Sequence, residues 1–343
     1  MKKYNVAILG ATGAVGQEFL SLIEERNFPF ANLKLLASKR SAGKVIKFMG
    51  KDYVVEEATN ESFKDVQIAL FAGGSASTVF ASAAVKSGAV VIDNSSAFRM
   101  DPEVPLVVPE VNPEAIKNHK GIIANPNCST IIVTMALKPI YDKVKIKRVV
   151  VSTYQAVSGG GKEAIDELEQ QVKAIAENRP VEAKILPGAS LAKHYQIAFN
   201  LIPQIDVFKD NGYTKEEMKM IDETHKILDD YGMGITATTI RVPVYRSHAE
   251  SINLELEDDL SIDEVKSALS NFEGVIVKDN PDEMEYPMPL YTSNQDEVFI
   301  GRIRKDYSIK NGLNLWVVGD QIRKGAALNA LQIAEYMIKH NMF

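Results

Sequence analysis

Short apolar runs alternate with amphipathic stretches over the first third of the chain. Val6–Leu9 is continuously apolar, the pattern of a strand covered on both faces. Asn32–Ala37, Gln67–Phe71, Ala89–Ile92 and Gly121–Ala124 repeat that signature. Helical patterns over Gly16–Glu25 and Ala76–Lys86 lie between several of them. Strand–helix alternation of this kind predicts a parallel, right-handed, doubly wound sheet. Val45–Val55 reads as a hairpin turning at Gly50 and Lys51.

The texture changes after residue 128. Ser129–Tyr141 reads as a helix and Lys145–Thr153 as a strand. Ile165, Leu168, Val172 and Ile175 recur at helical spacing within Glu163–Glu177, and Lys215–Asp230 is a polar helix. Ile252, Leu254 and Leu256 alternate with polar residues, which marks a strand with one wet face. Ser261 with Glu264 is a capping box opening a short helix. Val298–Arg304 and Leu313–Val318 are two further strands, and Arg323–His340 is a closing helix. These elements predict an α+β domain around a largely antiparallel sheet. The predicted division is residues 1–127 plus 323–343 for the first domain and 128–322 for the second.

Length and composition narrow the class. The 343 residues are 45% hydrophobic and 24% charged, ordinary for a globular chain of two domains. With 39 Lys and Arg against 45 Asp and Glu, the net charge is −6. No basic run marks a nucleic-acid binder, and no apolar stretch reaches the ~20 residues of a membrane span. The N-terminal apolar run is short and ends in a glycine loop, so it reads as a strand and not a signal peptide. The expectation is a cytoplasmic protein with no nucleic-acid or membrane partner. The single cysteine, Cys128, excludes an internal disulfide framework and a cysteine-rich zinc site, and no metal is expected.

Gly10-Ala11-Thr12-Gly13-Ala14-Val15-Gly16 follows the first strand and opens the first helix, a variant of the dinucleotide fingerprint. Glycines let the backbone approach a pyrophosphate, and the helix N-terminus offers N–H groups and partial positive charge. An ordinary glycine turn would look the same in isolation. Its place directly after the first strand favours a nucleotide. Enzymes that use NAD place Asp or Glu at the end of the second strand; here stand Ser38, Lys39, Arg40 and Ser41. Arg40 can grip a 2′-phosphate through a planar fork, and Ser38 and Ser41 can add hydroxyls. The expected cofactor is therefore NADP(H).

Cys128 sits in Asn125-Pro126-Asn127-Cys128-Ser129-Thr130, just ahead of a helix, where the dipole favours a thiolate. Most free cysteines are small core residues, but these neighbours resemble a loop and a cap. Of five histidines, four lie in polar helix or loop contexts. His248, just before the Ile252 strand, has a modest edge as acid or base.

Together GATGAVGQ, DNSSAFR, NPNCST, YQAVSGGGK, RVPVYRSHAE and GDQIRKGAALNA resemble the aspartate-β-semialdehyde dehydrogenase family, from Val6 to about Glu335. The resemblance implies a Rossmann-type domain and a C-terminal domain like that of glyceraldehyde-3-phosphate dehydrogenase. It implies NADPH-dependent reductive dephosphorylation of L-aspartyl-4-phosphate to L-aspartate 4-semialdehyde. That step leads to lysine and diaminopimelate, methionine and threonine. Cys128 would form the acyl-thioester, His248 would draw its proton and later return one, and Gln155 would orient the substrate. Arg241, Glu216 and Asn127 would bind the substrate, and Arg99 and Lys219 its phosphate. Gly10, Thr12, Gly13, Ala14, Val15, Ser38, Arg40, Ser41, Gly73, Ser158, Gly159 and Gln321 would contact the cofactor. A homodimer is the implied assembly. N-acetyl-γ-glutamyl-phosphate reductase is the nearest alternative. A Glu216–Arg241 pair suits a free amino acid better than an acetylated one. A silent nucleotide-binding relative would not need Cys128, Gln155, Arg241 and His248 together.

Overall fold

The computed structural model describes residues 2–343. Two compact units divide the chain, Met1–Asn127 with Gly325–Phe343, and Cys128–Lys324.

The first unit contains β1 (Tyr4–Leu9), α1 (Ala14–Glu25), β2 (Phe30–Ala37), β3 (Val45–Phe48), β4 (Lys51–Val54), β5 (Glu56–Glu57), β6 (Ile68–Phe71), α2 (Ala76–Lys86), β7 (Val90–Asp93) and β8 (Ile122–Ala124). Its main sheet runs β5-β2-β1-β6-β7-β8 with every neighbouring pair parallel. β3 and β4 form a separate antiparallel hairpin. Successive side chains of a strand point to opposite faces, and β1 shows why its run is continuously apolar. Val6 and Ile8 join a core with Phe19, Leu22 and Ile23 of α1 and with Leu331 and Ala334 of the C-terminal helix, Leu328–Lys339. Ala7 and Leu9 join a second core with Phe63 and with Ala81 and Ala84 of α2. Each such buried Leu, Ile or Phe stabilises the sheet by about 1.5–3 kcal/mol. The strand order reverses between β1 and β6, the switch point outside whose strand ends doubly wound sheets bind ligands.

The second unit contains α3 (Cys128–Tyr141), β9 (Ile146–Gln155), α4 (Lys162–Ala176), α5 (Lys215–Leu228), β10 (Gly234–Arg241), β11 (His248–Leu256), α6 (Ile262–Ser270), β12 (Val275–Val277), α7 (Pro289–Thr292), β13 (Val298–Asp306) and β14 (Gly312–Gly319). Its sheet runs β10-β9-β11-β14-β13-β12. The inner pairs are antiparallel, as expected, but both edge strands pair in parallel, so the sheet is mixed. The two edge strands are the elements the hydrophobic pattern does not announce. β10 is rich in threonine, and β12 has only three residues. α3 packs on β9, β11, β13 and β14. From Ser129 to Ile140 only Lys138 escapes burial, so α3 lies deep in this unit with Cys128 at its first position.

The closing helix begins differently from its sequence reading. Arg323–Ala327 is a π-helical turn, and α-helix starts only at Leu328. Among the described residues, no helix is long and apolar enough to cross a membrane.

Candidate active site

Three adjacent strands of the second unit bring His248 and Gln155, predicted to be catalytic, and Arg241, predicted to bind substrate, into one row, while Cys128 stands at the start of α3. Arg241, at the end of β10, is the register partner of Gln155, at the end of β9. β11 pairs Ala249 with Tyr154, which sets His248 beside Gln155. Directly opposed residues share a face, with Cβ atoms about 4.5–5.5 Å apart. Arg241, Gln155 and His248 are all buried.

The backbone of Ala156 ties the ends of this row together. Its N–H donates to His248 Nδ1 at 3.0 Å, and its carbonyl accepts from Arg241 Nη1 at 2.7 Å. An amide N–H can only donate, so Nδ1 carries no proton and the neutral ring holds its hydrogen on Nε2. Burial, and then the Arg241 charge, depress His248 to about 3, so the imidazole is neutral near pH 7. The sequence reading has His248 drawing the proton from Cys128. In this tautomer the resting ring is instead a donor at Nε2.

Gln155 is oriented from behind. Thr153 Oγ1 donates to its Oε1 at 3.0 Å, which turns the amide nitrogen toward Glu216 Oε1 at 3.3 Å. Its nitrogen also stands 3.4 Å from His248 Nε2, at the outer limit of a contact. Glu216 is carried by α5, whose capping box is complete. Glu217 N–H donates to Thr214 Oγ1 at 3.2 Å, and Thr214 N–H donates to Glu217 Oε2 at 2.7 Å. Lys219, one turn further on, donates to Glu216 Oε2 at 2.9 Å and to Asp206 Oδ2 at 3.3 Å.

Burial lowers the pKa of Arg241, opposed by attraction to Glu216 and Cys128. The same attraction favours a thiolate at Cys128. Arg241 Nε is buried and has no hydrogen-bond partner among the described residues. Gly159 abuts this group. A Cβ there would lie 2.8 Å from Arg241 Nη1 and 3.2 Å from His248 Cε1.

Ser158 and Gln321, expected at the cofactor, bond to each other through Gln321 Nε2 and Ser158 Oγ. Gln321 Oε1 accepts the Ser247 N–H at 2.8 Å. Sequence reasoning overlooked Glu250, two residues beyond His248 on the same face of β11. It is fully buried, neither carboxyl oxygen has a hydrogen-bond partner among the described residues, and burial raises its pKa well above the carboxylate range. An acidic residue in phase with Ile252 and Leu254 was the available signal. The roles of Ala156 and Ser247 are backbone roles, which no side-chain identity announces.

The first unit holds the other predicted residues. Gly10 follows β1 with φ +86°, and a Cβ at Gly16 would lie 2.2 Å from the Gly10 carbonyl, so the loop closes only with glycine there. Gly13 caps α1 with no side-chain bond, and the first turn, with Ala14 and Val15, carries no acid. That cradle suits a pyrophosphate. Thr12 Oγ1 donates to Ser41 Oγ at 3.4 Å, and Ser38 and Arg40 are exposed in the turn after β2. Gly73 lies beyond β6 with φ +105°. Arg99 donates from Nε to Asn125 O at 2.9 Å and from Nη2 to Asn94 O at 2.8 Å, and Asn127 is buried nearby in sequence. Among the described residues no cluster of three or more His, Cys, Asp or Glu is gathered to hold a metal.

Both halves of the chain match described families. Residues 5–119 match the family described as "Semialdehyde dehydrogenase, NAD binding domain", and residues 137–324 match "Semialdehyde dehydrogenase, dimerisation domain". The chain is 57% identical to an aspartate-semialdehyde dehydrogenase of Aquifex aeolicus, over 99% of each chain. It is similar to the structure of Vibrio cholerae aspartate semialdehyde dehydrogenase II complexed with ASA, at 47% identity and TM-score 0.93, covering 99% of each chain. A Candida albicans aspartate semialdehyde dehydrogenase with NADP is similar at 26% identity and TM-score 0.75, covering 100% of each chain. With near-complete coverage at this identity, the chain belongs to the aspartate-semialdehyde dehydrogenase family.

Proposed function

We propose that this protein is an NADP(H)-dependent aspartate-semialdehyde dehydrogenase. It converts L-aspartyl-4-phosphate to L-aspartate 4-semialdehyde and phosphate, and runs in reverse with phosphate and the aldehyde. The observation that carries the reading is the row Arg241–Gln155–His248, with the buried, unpartnered Nε of Arg241 beside it. A buried donor without a partner is costly, and a substrate α-carboxylate would satisfy it. Glu216 balances the substrate ammonium, and Arg99 and Lys219 take the phosphate.

Cys128 thiolate attacks the acyl carbon. A C–S bond forms, the C–O bond to phosphate breaks, and phosphate leaves with its electron pair. NADPH, held by the glycine loop and the turn after β2, would supply the hydride that the thioester carbon takes up. Nε2–H of His248 gives its proton to the carbonyl oxygen as charge develops there. When the C–S bond breaks, the thiolate departs and the carbonyl re-forms, returning that proton to His248. Gln155 holds the acyl group for attack. The glycine loop and the turn holding Ser38, Arg40 and Ser41 bind the nucleotide and its 2′-phosphate. A homodimer is the proposed assembly, supported by the family description of residues 137–324.

The test follows reduced nicotinamide absorbance with L-aspartate semialdehyde, phosphate and NADP⁺. N-acetylglutamate semialdehyde serves as the control substrate. Turnover with the first and not the second is expected, and Cys128→Ala abolishes it while still binding NADPH. Full turnover by the alanine variant refutes the nucleophile.

A further inference from the structure

Ser247, immediately before His248, has φ +71° and is fully buried. That left-handed conformation is routine for glycine and tolerated by Asn or Asp, but strained for serine. Such strain persists only where surrounding contacts over-determine it. Here those contacts come from two separate segments. Ser247 N–H donates to Gln321 Oε1 at 2.8 Å. Thr292 Oγ1, at the end of α7, donates to Ser247 Oγ at 3.0 Å. The residue before is anchored too. Arg246 Nε donates to Asp320 Oδ2 at 2.5 Å, and Ser293 Oγ donates to Arg246 O at 3.2 Å.

The position of this clamp gives it a consequence for the imidazole. The dihedral angles of Ser247 set how the chain enters β11, and hence whether His248 Nδ1 meets the Ala156 N–H. Gln321 also donates to Ser158 Oγ. Ser158 precedes Gly159, the residue against His248 and Arg241. One buried amide therefore links the two backbone segments that flank the ring.

We propose that Thr292 and Gln321 are positioning residues for His248, which lock Ser247 in its left-handed conformation and so aim the imidazole. This rests on the reading of His248 as the proton donor. Thr292 is the better probe, because Gln321 also has an expected cofactor contact.

The experiment compares Thr292→Val, Thr292→Ser, Ser247→Gly, Ser247→Ala and the double variant Thr292→Val/Ser247→Gly. Steady-state kcat and KM are measured for the aldehyde, with thermal unfolding as a check on folding. Thr292→Val is expected to lower kcat about ten- to hundredfold with KM little changed, and Thr292→Ser restores it. Ser247→Gly keeps kcat, because glycine adopts φ +71° without strain, whereas Ser247→Ala loses it. In the glycine background, Thr292→Val has little further effect. Parental kcat in Thr292→Val overturns the proposal. So does equal loss in Ser247→Gly and Ser247→Ala, a comparison that holds even if Thr292→Val does not fold. His248→Ala separates the two layers. If it is inactive while Thr292→Val is unimpaired, only the clamp is refuted; if it retains turnover, the reading of His248 falls as well.

Discussion

Ala156 N–H donates to His248 Nδ1 at 3.0 Å, and this one bond fixes the chemistry the imidazole offers. A ring that accepts at Nδ1 holds its proton at Nε2 while neutral. Protonation would put a second donor against the amide. Burial and Arg241 oppose it as well, and together they bring His248 to about 3.

The expected result is a histidine that stays neutral between pH 5 and 8. Nitrogen-15 NMR of the side chains should show an Nε2–H tautomer for His248, absent in His248→Asn, with no titration across that range. An Nδ1–H pattern, or a midpoint near 6.5, contradicts the assignment. The linked stability effect has a definite sign. Below 6.5 the unfolded chain takes up a proton that the folded chain refuses, so folding stability falls as pH drops from about 6.5 toward 3.

Gly159 presses against both members of the pair that Ala156 holds. A methyl group there meets Arg241 Nη1 at 2.8 Å and His248 Nε2 at 3.3 Å. Arg241 cannot retreat freely, since Nη1 is bonded to Ala156 O and the guanidinium is buried. Gly159→Ala should reduce kcat/KM about 100-fold, the scale of an ångström misplacement, and lower the unfolding temperature by an overpacking cost of about 1–3 kcal/mol. Steady-state kinetics beside a thermal melt decide it.

The doubly wound half was legible because strands covered on both faces must be continuously apolar, as β1 is. The second unit was less so. β10 carries Thr236, Thr238 and Thr239, and β12 is only Val275–Val277, too short for a period. Side-chain chemistry at the site could be read from motifs. The arrangement that aims it could not, because it rests on the Ala156 amide and the Ser247 φ angle, which are backbone properties. Glu250 is the instructive omission. It continues the buried phase of Leu256, Leu254 and Ile252 toward His248, so its burial was readable and its consequence was not.

That burial predicts an unusual pH dependence. Glu250 stays protonated in the folded chain above the pH at which it ionises when unfolded. The folded state then binds the extra proton, so stability falls as pH rises above the ordinary carboxylate range. Glu250→Gln cannot ionise in either state. Its unfolding temperature relative to the parent should therefore climb from pH 5 to pH 8. A difference that does not change with pH would mean Glu250 is ionised in the fold.

Cofactor choice turns on the exposed stretch after β2, where Ser41 N–H closes a turn on Ser38 O at 2.8 Å. The stretch itself carries no carboxylate to bind a ribose hydroxyl or repel a phosphate. Arg40→Ala should raise KM for NADPH about ten- to hundredfold, from loss of a charge-assisted bond of roughly 1.5–3 kcal/mol, with NADH kinetics unchanged. Equal effects on both cofactors would remove Arg40 from 2′-phosphate recognition.

Arg241 presents the sharpest distinction between charge and geometry. Nη1 already holds Ala156 O at 2.7 Å, while Nε is buried without a partner among the described residues. A guanidinium serves both at once, keeping the Ala156 bond and offering its other edge to a carboxylate. The single nitrogen of lysine can reach one or the other, and burial also favours its neutral form. Arg241→Lys should therefore lower kcat/KM for L-aspartate semialdehyde by about 2 kcal/mol or more, some ~30-fold, as for a truncated buried charge pair. The loss should shrink for a substrate analogue in which the α-carboxylate is replaced by a carboxamide, because the broken interaction is then already missing. An equal loss for acid and amide would place the defect in the Ala156 scaffold instead of in carboxylate recognition.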